Sequence, residues 1–504
     1  MTGIASFNHP AVIIQYMEIC VRYAAVFDAY TEHIGPVLEN FVRLVHHDHV
    51  RIKARSWYLF FRFVKHMRPH VGNVAETVIE SISDLLPIKA EAPGDENDDD
   101  MSSDEQDNSE AALFTSQLYL YEAVGYISSA PGTPAEKQAL YVRSVMNNLF
   151  SDMEAHLPRA KSGDAQAVNQ IHHIVMALGM LAHGFSEGLP SSSSSSTTQT
   201  KRPTPDKSVS DEFSRAAEAI LLALREFNSS FDIRTACRSA FSRLLGVLGA
   251  AVLPQLPQWI EGLLSTSSSK DEMAFFLRIL DQVVYEFKGE IYTVLNMLLT
   301  PLQQRIFAGL SEPASGTDDH IQLGELRREY LSFLLVILNN GLEGTLISEV
   351  NQGFFENTVS CIITLGRSFE GNPQSSKLAF GVMTRMATIW GGPDLASLSD
   401  SPAPAIPGFD NFMIEHFHGV CWEVMREPGF KPEVDAQTKQ VLNEIAALEQ
   451  VIYRKTGEVF INNLRNGIIP GLGVDGNEFL NALSGMDKKG FSGYLLRLIK
   501  SRRG

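Results

Sequence analysis

Along DEFSRAAEAILLALREF, residues 211–227, apolar side chains fall at Phe213, Ala216, Ala217, Ile220, Leu221, Leu224 and Phe227. Steps of three and four residues put all seven on one stripe of a helix, which is the pattern of a segment that buries one face. The same period runs through nearly every segment that is not rich in Gly, Pro or Ser, and no run of β-branched residues alternates as a half-buried strand would. The pattern predicts about twenty helices of roughly 12 to 22 residues, paired through short Pro or Gly turns. Start signals agree with it. In Thr133-Pro134-Ala135-Glu136 a cap hydroxyl precedes a proline at the first helical position, and a glutamate stands three residues after the cap.

The helix pairs recur every 40 to 50 residues or so, the period of HEAT-type hairpins. Each hairpin buries its stripe against the next, so the expected fold is all-α: a HEAT-repeat superhelical solenoid of roughly nine or ten hairpins with one continuous core. Repeats are expected over 1–90, 111–189, 209–394 and 409–504. Between them lie an acidic stretch at 91–110, a Ser/Thr-rich stretch at 190–208 and a Pro/Ser-rich stretch at 395–408. These three compositions bury too little apolar surface to offset chain entropy and read as mobile, disordered loops at repeat corners.

Composition narrows the class. The 504 residues are 44% hydrophobic and 20% charged with a mean hydropathy of −0.04, as in a soluble folded protein. The longest apolar runs, such as LLGVLGAAVL at 244–253, fall short of the roughly 20 residues that cross a bilayer. The first residues lack the pattern of a signal peptide, which makes a cytosolic or nuclear protein the expectation. Cys20, Cys237, Cys361 and Cys421 are far apart in sequence, as buried free thiols of a reducing compartment are. The formal net charge of −17 is unevenly spread. Ten Asp or Glu and no Lys or Arg occupy residues 91–110, whereas residues 1–90 hold nine Lys or Arg against eight Asp or Glu.

No GxxxxGK[ST] phosphate loop and no HExxH occurs in the chain. The Gly-rich GIIPGLGVDG at 467–476 lacks the Lys and Ser or Thr that clasp a nucleotide, and reads as a helix-to-helix turn. His46, His47 and His49 with Asp48 are adjacent residues whose side chains diverge by about 100° on a helix, which suits a polar turn better than a metal site. His172 and His173 in IHHIVMALGMLA fit an ordinary buried helix and its flank. No metal, cofactor or small-molecule substrate is indicated.

One stretch stands out. VRIKARSWYLFFRFVKHMR, residues 50–68, holds six Lys or Arg and five aromatics in nineteen positions. On a helical wheel with Arg51 at zero, Arg55, Tyr58, Arg62 and Lys65 all fall within about 40° of it, while Ile52, Phe60, Phe63, Val64, Met67 and Trp57 fall on the far side. Most of the aromatics therefore serve a core. Four cations and a tyrosine remain, in a row about 21 Å long at 1.5 Å per residue. Such a row suits a phosphodiester backbone, because guanidinium groups bind phosphate bidentately and release counterions; a plain solvated helix face gives the same pattern. At the other end of the chain, Arg497, Lys500, Arg502 and Arg503 suit a helix C-terminus for reasons of its dipole alone.

ARSWYLFFRFVK at 54–65 resembles the segment AYLFSRFVK of the exportin-T family, the karyopherins that carry tRNA out of the nucleus. QLYLYEAVGYI at 117–127, TPAEKQAL at 133–140, LRREYLSFL at 326–334, ATIWGGPD at 387–394 and DAQTKQVLNEIAALEQ at 435–450 extend the resemblance in the same order. It implies a non-enzymatic shuttle between nucleus and cytoplasm whose partners are tRNA, GTP-bound Ran and nuclear pore components, with no membrane. It covers roughly the C-terminal half of such exportins, without the N-terminal half that supplies the main grip on Ran. It also implies that the second helix of each hairpin faces cargo, which assigns Arg51, Arg55, Tyr58, Arg62 and Lys65 to tRNA. Arg327, Arg328, Arg454 and Lys455 follow as secondary candidates. Two other readings stand beside this one: a karyopherin for a protein cargo, and a HEAT scaffold with no RNA ligand.

Overall fold

The computed structural model describes residues 9–91, 110–187, 206–265, 268–395 and 406–503. Most of the acidic, Ser/Thr-rich and Pro/Ser-rich stretches lies outside these residues. Among the described residues there are twenty α-helices of at least seven residues and no β-strand. Their lengths run from seven to 27 residues, a wider spread than the periodicity suggests.

The continuous array expected from the sequence divides into two compact units, Met1–Ser268 and Ser269–Gly504. The first holds α1 (Pro10–Arg22), α2 (Ile34–Val45), α3 (Val50–Met67), α4 (Ala75–Ser81), α5 (Glu110–Ser128), α6 (Ala135–Lys161), α7 (Ala165–Glu187), α8 (Lys207–Phe227), α9 (Phe231–Leu248) and α10 (Leu256–Leu263). The second holds α11 (Lys270–Phe287), α12 (Tyr292–Ser311), α13 (Thr317–Asn339), α14 (Gln352–Arg367), α15 (Pro373–Trp390), α16 (His418–Arg426), α17 (Ala436–Thr456), α18 (Glu458–Asn466), α19 (Gly476–Gly485) and α20 (Lys488–Arg503).

In the first unit the hairpins are α2/α3, α4/α5, α6/α7 and α8/α9, and the second helices α3, α5, α7 and α9 pack on one another in succession. In the second unit the corresponding layer is α11, α13, α15, α17 and α20. The close approach of α5 and α7 depends on two glycines. A Cβ on Gly184 would stand 2.0 Å from the Glu122 carbonyl oxygen, and one on Gly125 would stand 2.5 Å from that of Leu181, so any side chain would push the backbones apart.

The stripe predicted on α8 is buried in full, from Phe213 to Phe227. The start of α6 differs by one residue from the sequence expectation. Pro134 has an extended ψ of 144°, so it caps the helix rather than opening it, and Thr133 makes no side-chain capping bond. The apolar run Phe231–Leu263 is long and apolar enough to cross a membrane by length and hydropathy alone. In the fold it is two helices, α9 and α10, separated by a 3-10 segment at Gly249–Gln255, and its apolar residues serve the core.

Residues 86–91, after a 3-10 turn at Ser83–Leu85, have no regular secondary structure and run along α5 and α7, where no ladder is available to satisfy their backbone groups. Side-chain amides do so instead: Gln117 donates to the carbonyls of Leu85 and Pro87, and Gln170 donates to that of Ile88 and accepts from the Ala90 amide. Leu86, Ile88 and Ala90 alternate into the core beneath.

Candidate nucleic-acid interface

Helix α3 is pinned from its buried side. The Trp57 indole donates to the Val45 carbonyl at 3.0 Å, and Phe63 stacks on Phe41 of α2 at 4.8 Å. Ile52, Trp57, Phe60, Phe63, Val64 and Met67 are all buried. With that face fixed by packing, the opposite face is fixed too: Arg51, Arg55, Arg62 and Lys65 are exposed and Tyr58 is half-buried.

These side chains are not a loose charged row. Tyr58 meets Tyr119 of α5 edge-on at 5.1 Å, and Phe61 stacks on Tyr119 at 5.4 Å and reaches Tyr126 at 6.0 Å. Arg55, Arg62 and Lys65 lie over this cluster of rings. The Arg55 guanidinium is 5.1 Å from the Tyr58 ring centre and that of Arg62 is 5.8 Å from it, while the Lys65 ammonium stands 4.9 Å from the Tyr126 ring. Attraction to the ring faces holds each charge in place while leaving it open to solvent. Arg62 also donates to the Tyr58 hydroxyl at 2.8 Å.

Two carboxylates border the row. Glu18 of α1 accepts from Arg55 at 2.7 Å. Beyond the other end, one Asp28 oxygen stands 3.1 Å from His70 Nε2 and the other 3.3 Å from His66 Nε2. Hydrogen bonding to His70, and then to His66, holds the Asp28 carboxyl below its ordinary range.

The secondary candidates fare differently. Arg454 is about half exposed, 3.8 Å from Asp394. Lys455 is nearly shielded from solvent, with 8% of its side chain exposed: its ammonium donates to the Gly392 carbonyl at 2.6 Å and pairs with Asp394 at 2.9 Å, so it holds the segment after α15. Arg327 and Arg328 are both half-buried on α13. Arg327 lines a cavity of about 370 Å³ whose wall also carries Arg367, Glu370, Glu423 and Glu427, with Arg367 paired to Glu423 at 2.6 Å, so carboxylates outnumber the cations an anion would meet there.

The other polar clusters are structural. His46 bonds the Val42 carbonyl and Asp84, and His47 accepts from the His49 amide, which together form the turn between α2 and α3. His173 is buried against the ring of Phe114, and burial lowers its pKa to about 4. The GIIPGLGVDG stretch joins α18 to α19 through a one-turn helix at Ile469–Leu472, and Asp475 caps α19. Cys20, Cys237 and Cys421 are buried free thiols and Cys361 is half-buried. Among the described residues, no group of three His, Cys, Asp or Glu is placed to hold a metal ion.

Wheel reasoning on α3 alone misses the ring platform and Glu18. A signal for the platform is present in QLYLYEAVGYI: Tyr119 and Tyr126 are seven residues apart, the same interval as Tyr58 and Lys65, as two helices side by side in the same direction require. No signal marks Glu18, which lies 37 residues from its partner.

A family model described as Exportin-T matches residues 1–503. Exportin-T of Chaetomium globosum is 61% identical over all of this chain, and that of Neurospora crassa is also 61% identical over all of it. Exportin-T of Aspergillus oryzae is 52% identical over 97% of it. The chain spans about half the length of these curated relatives, 50%, 49% and 48% respectively. Among solved structures, importin 13 in its cytosolic state superposes over the whole chain and 51% of its own length, with a TM-score of 0.60 at 12% identity, a likeness of fold.

Proposed function

The chain belongs to the exportin-T family, and from that premise we propose that it is the cargo-embracing part of a nuclear export receptor for tRNA. On this reading it is a carrier, not an enzyme. It binds tRNA together with GTP-bound Ran, passes the pore by contact with pore components, and releases both ligands in the cytoplasm. The observation that carries the RNA contact is the row Arg51, Arg55, Arg62 and Lys65, exposed on a second helix, with Arg55, Arg62 and Lys65 held over tyrosine rings. Contacts of this type neutralise phosphates and carry no sequence information, so recognition is of the A-form backbone and its shape. Arg328 and Arg454 are secondary contacts; Tyr58 acts by positioning Arg55 and Arg62.

Coupling between the two ligands is reciprocal: tRNA tightens Ran binding by the factor by which Ran tightens tRNA binding. Titration of tRNA at low and physiological salt, with and without GTP-bound Ran, tests the reading on this chain and on a full-length relative. A protein-cargo receptor responds to Ran without responding to tRNA, and a scaffold binds tRNA under no condition. The variant Arg55→Glu with Arg62→Glu is expected to weaken tRNA binding at least tenfold and to flatten its salt dependence, with helicity unchanged in circular dichroism. Unaltered affinity in that variant removes α3 from the interface.

A further inference from the structure

The geometry points to Glu18 as the residue that sets how strongly the α3 row discriminates between RNA ligands, an internal competitor for the phosphate site at Arg55. The inference rests on the RNA-backbone reading of α3. Glu18 and Arg55 come from different helices and meet at 2.7 Å with 28% and 47% of their side chains exposed. An ion pair this open to water contributes little to stability, so Glu18 is not explained by a need to hold α1 on α3. Ile13, Tyr16, Met17 and Cys20 on the buried face of α1, which packs against α3, already do that.

What Glu18 does change is charge where a phosphate would arrive. Arg62, by contrast, has its bonds to Tyr58 and no carboxylate partner among the described residues. A phosphate at Arg55 must either displace the Glu18 carboxylate or share the guanidinium with it, with two anions a few ångströms apart. A folded duplex that seats phosphates on Arg51, Arg62 and Lys65 together offsets that repulsion through its other contacts. A flexible single strand, which must lose chain entropy to align its phosphates with the row, offsets it less. Glu18 thus weakens binding of every RNA and weakens binding of small or flexible polyanions most.

The test is Glu18→Gln in the full chain, which keeps the shape and the hydrogen-bond acceptor and removes the charge. Binding of tRNA and of a ten-nucleotide single-stranded RNA is measured between 50 and 300 mM KCl, beside Arg62→Glu. For Glu18→Gln the expected result is a gain of about three- to tenfold for tRNA, a larger gain for the oligonucleotide, and a salt slope steeper by about 0.7 to 0.9, equivalent to one phosphate more. In an Arg55→Gln background the slope change disappears, a readout that a merely structural role would not give. Unchanged affinity and slope in Glu18→Gln with loss of binding in Arg62→Glu overturns the role of Glu18 and leaves the RNA reading standing. Weaker binding in Glu18→Gln also overturns it, since Glu18 is then a strut that orients Arg55. No effect in either variant defeats the RNA reading itself.

Discussion

Asp281 sits where burial and charge conflict. It lies on α11 facing α13, accepts a hydrogen bond from Ser332 at 2.8 Å, and its pKa is raised to about 7, by burial first and by the neighbouring Glu329 as well. A carboxyl raised in the folded state binds more protons there than in the unfolded chain between the two pKa values. Its favourable contribution is therefore complete below about pH 4 and is lost as pH rises through 7. Replacing it by Asn, which can still accept from Ser332, removes that dependence. Urea unfolding at pH 5 and pH 8 is expected to show the wild type losing stability, on the order of 2 to 4 kcal/mol, relative to Asp281→Asn over that interval. Parallel loss in both proteins would show that Asp281 ionises normally. The sequence gives no hint of this group, whereas the division of α3 follows from the 3.6-residue period: the six apolar residues placed on one side are buried and the four cations on the other are exposed.

Helices were legible where their apolar stripe was narrow. The α8 stripe reads directly from DEFSRAAEAILLALREF, because one face meets the core and the other meets water. Helix α5 reads poorly for the opposite reason: neighbours cover it nearly all round, from Leu118 through Ile127, so polarity marks no single side. Its position is set instead by backbone contact with α7 at Gly125 and Gly184. Gly184→Ala is expected to cost about 1 to 3 kcal/mol or more, since the Cβ meets a carbonyl that cannot move without the whole helix. Gly353→Ala on α14, where a Cβ meets nothing within 4 Å, is expected to be neutral or slightly stabilising. Comparison of their urea midpoints checks both; equal midpoints would mean that α5 and α7 have room to part.

For the molecule as a whole, a net charge of −17 and an RNA ligand are compatible because charges act locally. At physiological ionic strength the screening length is about 8 Å, so a phosphate on α3 senses the α3 row and its bordering carboxylates and little of the distant acidic residues. Binding by about four cations predicts a salt slope near −3 to −4, or roughly a hundredfold weakening between 50 and 200 mM salt. A shallow slope with tight binding would indicate base stacking or hydrogen bonding in place of phosphate contact.

Hydrophobic period, turn chemistry and composition sufficed to determine an all-α repeat fold and the side of α3 that carries its cations. These are local properties, set by residues within a few turns of one another. The tertiary structure alone decided which cations remain available. Arg55 meets Glu18 and Lys455 meets Asp394 across 37 and 61 steps of chain, and the Tyr126 ring beneath Lys65 comes from a neighbouring hairpin. Pairing of that kind depends on which helices the packing brings together, and no period within one helix encodes it.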